Sequence, residues 1–305
     1  MPALASGLDY VDLNFLGRPA IIATAIVHST AGVALVDPGP GSTLATLEQE
    51  LARKGIGFKD VRQLLITHIH LDHAGSTGAI VERYPHIDVF VHERGAPHMV
   101  DPSKLLSSAG RLYGQDMDRL WGEVRPVAET RIRVLKGGET LSVAGREVRV
   151  AYTPGHASHH VSFFDTASRM AFVGDTAGIR RGSGAYVMPP TPPPDIDIDA
   201  WHASQEKILA WDPDTLFLTH FGPVHGARQH MQAMFENMSE WSRIIRRLLT
   251  DATLDDAGRQ KRFTDEAALI LRQRVGESEA EGYMRAGGLN YSYQGLARYW
   301  RKRSI

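Results

Sequence analysis

The stretch LLITHIHLDHAGSTG, Leu64 to Gly78, sets three histidines and an aspartate within six positions: His68, His70, Asp72 and His73. The preceding VRQLLIT, Val61 to Thr67, has the aliphatic content of a buried strand, so the cluster falls in the loop at that strand's C-terminal end. Open α/β arrangements commonly present ligands there. On an extended segment alternate side chains share a side, so His68 and His70 can converge on one cation while Asp72 and His73 turn toward another. A polar helix start capped by Asp72 would account for the aspartate but leaves the histidines without a reason.

The same context recurs three times downstream. VAYTPGHASHH places His156 after a strand, MAFVGDTAG places Asp175 after another, and DTLFLTHFGP does so for His220. If the sheets gather these ends, His68, His70, Asp72, His73, His156, Asp175 and His220 suffice for two metal ions. A sensible division gives the first ion His68, His70 and His156, the second Asp72, His73 and His220, and makes Asp175 the bridge. An anionic carboxylate can offer an oxygen to both cations and offset their repulsion. Two cations roughly 3.5–4 Å apart can share a hydroxide at neutral pH, which makes hydrolysis the natural chemistry without a protein nucleophile. Zinc is the expected ion, with manganese and iron as alternatives, because imidazole and carboxylate suit all three.

Composition narrows the classes. The 305 residues are 43% hydrophobic, enough for one large domain or a catalytic domain with an appendage. A net charge of −1 gives no global field toward nucleic acid or anionic lipid. The absence of cysteine removes disulfides, thiolate metal sites and cysteine nucleophiles. MPALASGLDYVDL lacks the features of a secretion signal, and no long apolar run follows, so a soluble, cytoplasmic protein without membrane partners is expected. The expected partner is a small-molecule substrate, and homo-oligomerisation stays open.

Along the chain, PAIIATAIVH and GVALVD read as an opening hairpin, STLATLEQELARKG as a helix, and Ser76 to Arg83 as another before the strand IDVFVH. Residues 94–127 read as an inserted helical cap. Its Met99, Leu105 and Trp121 suit either a pocket wall or a small core of their own. TRIRVL, ETLSVAG, REVRVAYT, HVSFFD and MAFVGD follow as short strands. MPPTPPPDIDID, with five prolines, reads as a stiff surface connection that can border a pocket. A helix at Trp201 to Ala210 and the strand DTLFLTH close a unit spanning 1–225. RQHMQAMFENMSEWSRIIRRLL, DEAALILRQRV and GLARYWRKR mark a helical extension over 226–305. Asp37 of VDPGP reads as a supporting or turn residue. His159 and His160 read as supporting or surface groups, and His92, His98 and Asp101 as structural or solvated.

HIHLDH, with PGHASHH, GDTAG and THFGP downstream, resembles the HxHxDH signature and later motifs of the metallo-β-lactamase fold superfamily, over roughly residues 18–225. That resemblance implies an α+β fold, a four-layer αββα sandwich with the di-metal site at the edge of its two sheets. Asp175 as a bridge resembles the glyoxalase-II-like, lactonase-like and phosphodiesterase-like members rather than true β-lactamases. The implied function is a metal-dependent hydrolase that directs a di-metal-bridged hydroxide at a small ester, thioester or lactone, with Asp72 catalytic as part of the metal site that stabilises the oxyanion. Phosphotriester or phosphodiester cleavage is the alternative, and a mononuclear-iron persulfide dioxygenase a further one. In glyoxalase II a helical appendage holds a glutathione thioester; Tyr283, Tyr291, Tyr293, Arg298 and Lys302 are the candidates for that part here. The lactonases of acyl-homoserine lactones carry a tyrosine soon after the bridging aspartate, where this chain has Gly178 and Ile179 and only later Tyr186.

Overall fold

The computed structural model describes residues 4–181 and 186–303; positions 182–185, between Asp175 and Tyr186, lie outside the described residues. The first sheet runs in chain order through β1 (Leu8–Asp12), β2 (Ala23–Ser29), β3 (Gly32–Val36), β4 (Val61–Leu65), β5 (Asp88–His92) and β6 (Ile132–Leu135). Its β1–β2 and β2–β3 pairs are antiparallel, and β3 to β6 pair in parallel. The parallel crossovers carry α1 (Leu44–Arg53), then α2 (Leu71–Ala74) with α3 (Thr77–Arg83), then α4 (Ala96–Val100), α5 (Ser103–Tyr113) and α6 (Met117–Trp121).

The second sheet holds β7 (Thr140–Val143), β8 (Arg146–Tyr152), β9 (Val161–Asp165) and β10 (Met170–Phe172) as successive antiparallel pairs. After a small hairpin of β11 (Ile179–Arg180) and β12 (Val187–Met188), the chain passes through α7 (Ile198–Leu209). It then adds β13 (Thr215–Leu218) parallel to β10 and β14 (Gly222–His225) at the edge. The chain ends in α8 (Ala227–Thr250), α9 (Asp256–Val275), α10 (Glu277–Gly287) and α11 (Leu289–Lys302).

The two-residue period of a strand builds the layers. In β2 and β3, Ala25, Val27, Ala34 and Val36 face the second sheet, while Ile26, Val33 and Leu35 face the helices outside. In β9, β10 and β13, Phe163, Phe172 and Phe217 meet them in the inter-sheet core, while Phe164, Ala171, Leu216 and Leu218 turn outward with Ile208 and Leu209 of α7. Helix, sheet, sheet and helix are therefore stacked as four layers, the αββα sandwich the motifs implied. The C-terminal helices share a further core, around Trp241, Phe263, Tyr283 and Tyr293, with Ile179, Val187 and Met188 of the small hairpin and Trp201 of α7.

Three expectations need correction. The Pro-rich segment is a surface connection only in part: Met188 to Thr191 are buried, Pro192 and Pro193 are half-buried and Pro194 is exposed, while Pro190 and Pro192 to Pro194 border the cavity described below, as expected. The helix expected from Trp201 begins at Ile198, because Asp197 Oδ1 accepts the Ala200 N–H at 3.2 Å and caps it. The motif itself is partly helical: one turn, Leu71–Ala74, follows extended His70, and Asp72 sits inside that turn without capping it. β1, β11, β12, β14 and α10 were not anticipated; β11, β12 and β14 are too short to show a period in sequence.

Candidate metal centre

All seven predicted residues come together at one edge of the sandwich, where the sheets are stitched by Val161 N–H to Thr67 O at 2.8 Å and Ala23 N–H to Thr219 O at 2.9 Å. His68 and His70 leave β4 extended, and the α2 turn swings Asp72 and His73 aside. That change of backbone divides one motif between two groups. Candidate ligand atoms of His68, His70 and His156 lie within 4.8 Å of one another, as do those of Asp72, His73 and His220 and those of His68, His73 and Asp175. His70 Nδ1 is 2.9 Å from His68 Nε2 and 3.0 Å from His156 Nε2. His220 Nε2 is 3.2 Å from Asp72 Oδ2.

Asp175 stands between them. Its Oδ2 is 3.4 Å from His156 Nε2, and its Oδ1 is 3.2 Å from His73 Nε2 and 3.5 Å from His220 Nε2. One oxygen thus faces each group. Gly174 before it has φ +46°, and a Cβ there would meet Thr67 Oγ1 at 2.5 Å, so the backbone reaches this position only with glycine.

The outward nitrogens are held by partners from the scaffold. His156 Nδ1–H donates to Pro190 O at 2.8 Å, His220 Nδ1–H to Ile21 O at 2.7 Å and His73 Nδ1–H to Asp37 Oδ2 at 2.8 Å. In the neutral ring this leaves each Nε2 lone pair turned inward, the tautomer a metal requires. Asp37, fully buried at the end of β3, also accepts the Thr67 N–H and the hydroxyls of Thr67 and Thr219, each at 2.8 Å. It therefore links β3, β4 and β13 directly behind the cluster. The repeated Thr-His pair, Thr67-His68 and Thr219-His220, was the sequence signal for this hub. His160 is also buried behind the site, near the Asp175 N–H at 3.3 Å, whereas His159 lines the cavity in front. His92 is buried and stacks on Tyr152, Asp101 caps the Ser103 N–H from an exposed position, and His98 reaches the cavity wall.

The charge states of the two halves differ. Burial holds His68 and His156 below their ordinary value and brings His70 down to about 4. On the other half burial is outweighed. Asp72, Asp175 and Asp37 hold His73 well above its ordinary value, and Asp175 and Asp72 raise His220. In return, His73 and His220 pull Asp72 to about 2 against burial, and His220, His73 and His156 hold Asp175 well below the carboxylate range. The carboxylates of this half favour positive charge at His73 and His220, whether a proton or a cation supplies it. His73 Nε2 and Asp175 Oδ1 are buried and misaligned for a hydrogen bond to each other, and neither has another partner among the described residues. Two such orphaned atoms converging beside neutral imidazoles fit a divalent cation.

Above the cluster is a cavity of about 420 Å³, within the range of roughly 300–1,000 Å³ usual for small-molecule sites. α5, α6, the prolines 190 and 192–194, and Tyr291 of α11 enclose it. Leu105 and Trp121 do line this pocket, whereas Met99 is buried in the outer core. Of the tail candidates only Tyr291 reaches it. Tyr283 and Tyr293 are buried in the tail's core, and Arg298 and Lys302 line a neighbouring cavity.

A four-layer sandwich with a His/Asp cluster at the sheet edge defines a metal-site protein of the αββα class. The chain belongs to the metallo-beta-lactamase superfamily, whose family model matches residues 18–220. It is similar to the metallo-beta-lactamase fold-containing protein ST1585 of Sulfurisphaera tokodaii, 28% identical over 223 residues that cover 72% of this chain and 79% of that protein. A hydroxyacylglutathione hydrolase of a Synechococcus species is 30% identical over 147 residues, 48% of this chain and 44% of the enzyme, so the match spans less than half of that enzyme. The crystal structure of a metallo-beta-lactamase family protein from Thermus thermophilus shares the fold with a TM-score of 0.71, covering 99% of this chain and 95% of that one at 22% identity. Among the described residues no helix is long and apolar enough to cross a membrane.

Proposed function

We propose that this chain is a metal-dependent hydrolase of a small ester, thioester or lactone. The observation that carries the reading is Asp175, which offers one carboxylate oxygen to each of two ligand groups on the floor of a largely apolar cavity. His68, His70 and His156 would hold one divalent cation and Asp72, His73 and His220 a second, with Asp175 shared; zinc is the expected ion. Such ions, when bound, lower the pKa of water to near neutrality and polarise a carbonyl oxygen. The hydroxyacylglutathione hydrolase match supports thioesters within this class.

The chain's own residues supply orientation and exclusion of water. Asp72 lines the cavity and stays ionised through the physiological range, the form a cation ligand must take. His159 Nδ1 accepts the Ile69 N–H at 3.4 Å, which selects the tautomer with Nε2–H and leaves a donor for a substrate oxygen. The α5–α6 segment and Tyr291 cover the floor and keep the reacting carbonyl in a low-dielectric setting.

The test is metal analysis of the purified protein together with lactone, thioester, aryl ester and phosphotriester substrates. Two metals per chain and turnover of an acyl substrate are expected. One iron per chain with oxygen consumption on a persulfide would overturn the proposal.

A further inference from the structure

Among the described residues two tyrosines reach the cavity, Tyr113 at the end of α5 and Tyr291 of α11, whereas Tyr186, Tyr283 and Tyr293 are buried in the core around the C-terminal helices. The two hydroxyls are used differently. Tyr291 donates to Leu112 O at 3.3 Å and so ties α11 to α5. The Tyr113 hydroxyl has no hydrogen-bond partner among the described residues, yet its oxygen is not sealed in protein, because it opens on the cavity. Phenylalanine would serve packing equally well here, and a tyrosine hydroxyl enclosed by protein usually finds a partner.

Aromatic contacts fix the direction of that hydroxyl. The Tyr113 ring lies 5.0 Å from that of Trp121 in α6 and 5.2 Å from that of Tyr291, edge-to-face in both cases, and Trp121 is itself stacked on Phe15 at 5.8 Å. α5, α6 and α11 thus hold the phenol together. Asp72, Asp175 and His220 line the same cavity on its floor. Burial first, and then the negative charge of Asp72, hold the phenol above its ordinary value, so the hydroxyl stands in the field of that half of the cluster and keeps its proton at neutral pH. Acid or base catalysis works best with a pKa near the working pH, so a proton held this firmly suits hydrogen-bond donation rather than transfer.

We propose that Tyr113 is a catalytic residue whose hydroxyl donates a hydrogen bond to the substrate's carbonyl oxygen, from above the group formed by Asp72, His73 and His220. The inference rests on the hydrolase reading and adds a residue to the same site. When hydroxide adds to the carbonyl carbon, a C–O bond forms and the carbonyl π pair moves onto this oxygen. The pair returns when the bond to the leaving group breaks, and the alkoxide or thiolate so released takes its proton from the newly formed carboxylic acid. The Tyr113 proton stays on the phenol throughout. Its hydrogen bond is an ordinary one in the bound ester and a charge-assisted one once the oxygen is negative, so it favours the transition state over the ground state.

The experiment compares the metal-loaded full chain with Tyr113→Phe, which removes one oxygen atom and keeps the ring. p-Nitrophenyl acetate reports turnover, and methylphosphonate, tetrahedral and anionic like the attacked carbonyl, reports binding by calorimetry. The expected result is a fall in kcat of about a hundredfold with KM within about twofold, and methylphosphonate affinity weakened at least about tenfold, at unchanged metal content and Tm. A fall in kcat or in methylphosphonate affinity of less than about tenfold would overturn the inference while leaving the hydrolase reading intact. Loss of metal, or a rise in KM of about tenfold, would mark a merely structural role and overturn it too. Should the parent cleave no acyl substrate, the hydrolase reading fails instead, and methylphosphonate then decides the inference by itself: a weakening of at least about tenfold in Tyr113→Phe supports it and a smaller one overturns it.

Discussion

Asp37 carries the most concentrated structural demand in the molecule, and its replacement has a calculable cost. Its fully buried carboxylate accepts the Thr67 N–H, the Thr67 and Thr219 hydroxyls and the His73 Nδ1–H. In Asp37→Ala the two hydroxyls can rotate toward other acceptors, but the Thr67 amide and the His73 imidazole are stranded at about 1–3 kcal/mol each. The backbone adds to this, because Asp37 has φ +52° and alanine in that region costs about 1 kcal/mol more. The sum is about 5 kcal/mol, which at 2–4 °C per kcal/mol lowers Tm by roughly 10–20 °C. Asp37→Asn separates structure from function, since asparagine tolerates the same φ and keeps the shape. It should melt closer to the parent yet bind zinc about 10–100-fold more weakly, because His73 loses the anion that fixes its tautomer. Differential scanning calorimetry of the metal-free proteins and zinc competition against a chelating dye measure the two effects. An alanine variant melting within about 3 °C of the parent and binding zinc equally well would refute the assignment of Asp37 as the hub.

Two further outcomes follow from the same geometry. Asp175→Ala should reduce metal content from two ions toward one per chain and turnover by at least about tenfold, read by elemental analysis and steady-state kinetics; unchanged values would remove Asp175 from the centre. Cation binding to the two halves should also differ in proton release. The surrounding carboxylates hold His73 well above its ordinary value and raise His220, so a cation on that half competes with protons. Affinity on that half therefore falls as pH falls, by up to about tenfold per unit for each proton displaced. His68, His70 and His156 are lowered, His70 to about 4, so their half should depend less on pH between 6 and 8 than the other. Calorimetry in buffers of different ionisation enthalpy counts the protons, and equal counts for both ions would contradict the charge assignment.

The candidate metal ligands were legible because each falls within a few residues of the end of an apolar strand, and strand ends on one edge of two stacked sheets must converge. The preference for Asp72 as a ligand candidate over a cap agrees with the backbone, since the α2 turn turns its carboxylate toward His220 rather than onto a helix N–H. The supports were less visible. Pro190 O and Ile21 O fix His156 and His220 through backbone carbonyls, which any residue type supplies, so no pattern of side chains announces them. The burial of the Pro-rich segment escaped for a related reason. Prolines exclude regular structure, but whether they face water depends on what packs over them, and α11 lies against Thr191, with Gly295 so close that a Cβ would meet the Thr191 carbonyl oxygen at 2.1 Å.

That contact also bears on where specificity resides. The family match ends at residue 220, and the catalytic candidates all lie within it. Tyr291, which closes the cavity over α5, lies outside it, as do the helices that press the Pro-rich segment into the wall. α5 and α6 fall within the match, but as a crossover between parallel strands they can vary without disturbing either sheet. Sharing of the motifs between two superfamily members therefore transmits the metal chemistry and leaves the substrate undetermined. The 147-residue similarity to a hydroxyacylglutathione hydrolase covers less than half of either chain. Tyr291 and the α5–α6 crossover are consequently the positions where substitution should change which substrate is accepted while the ligand cluster beneath keeps its geometry.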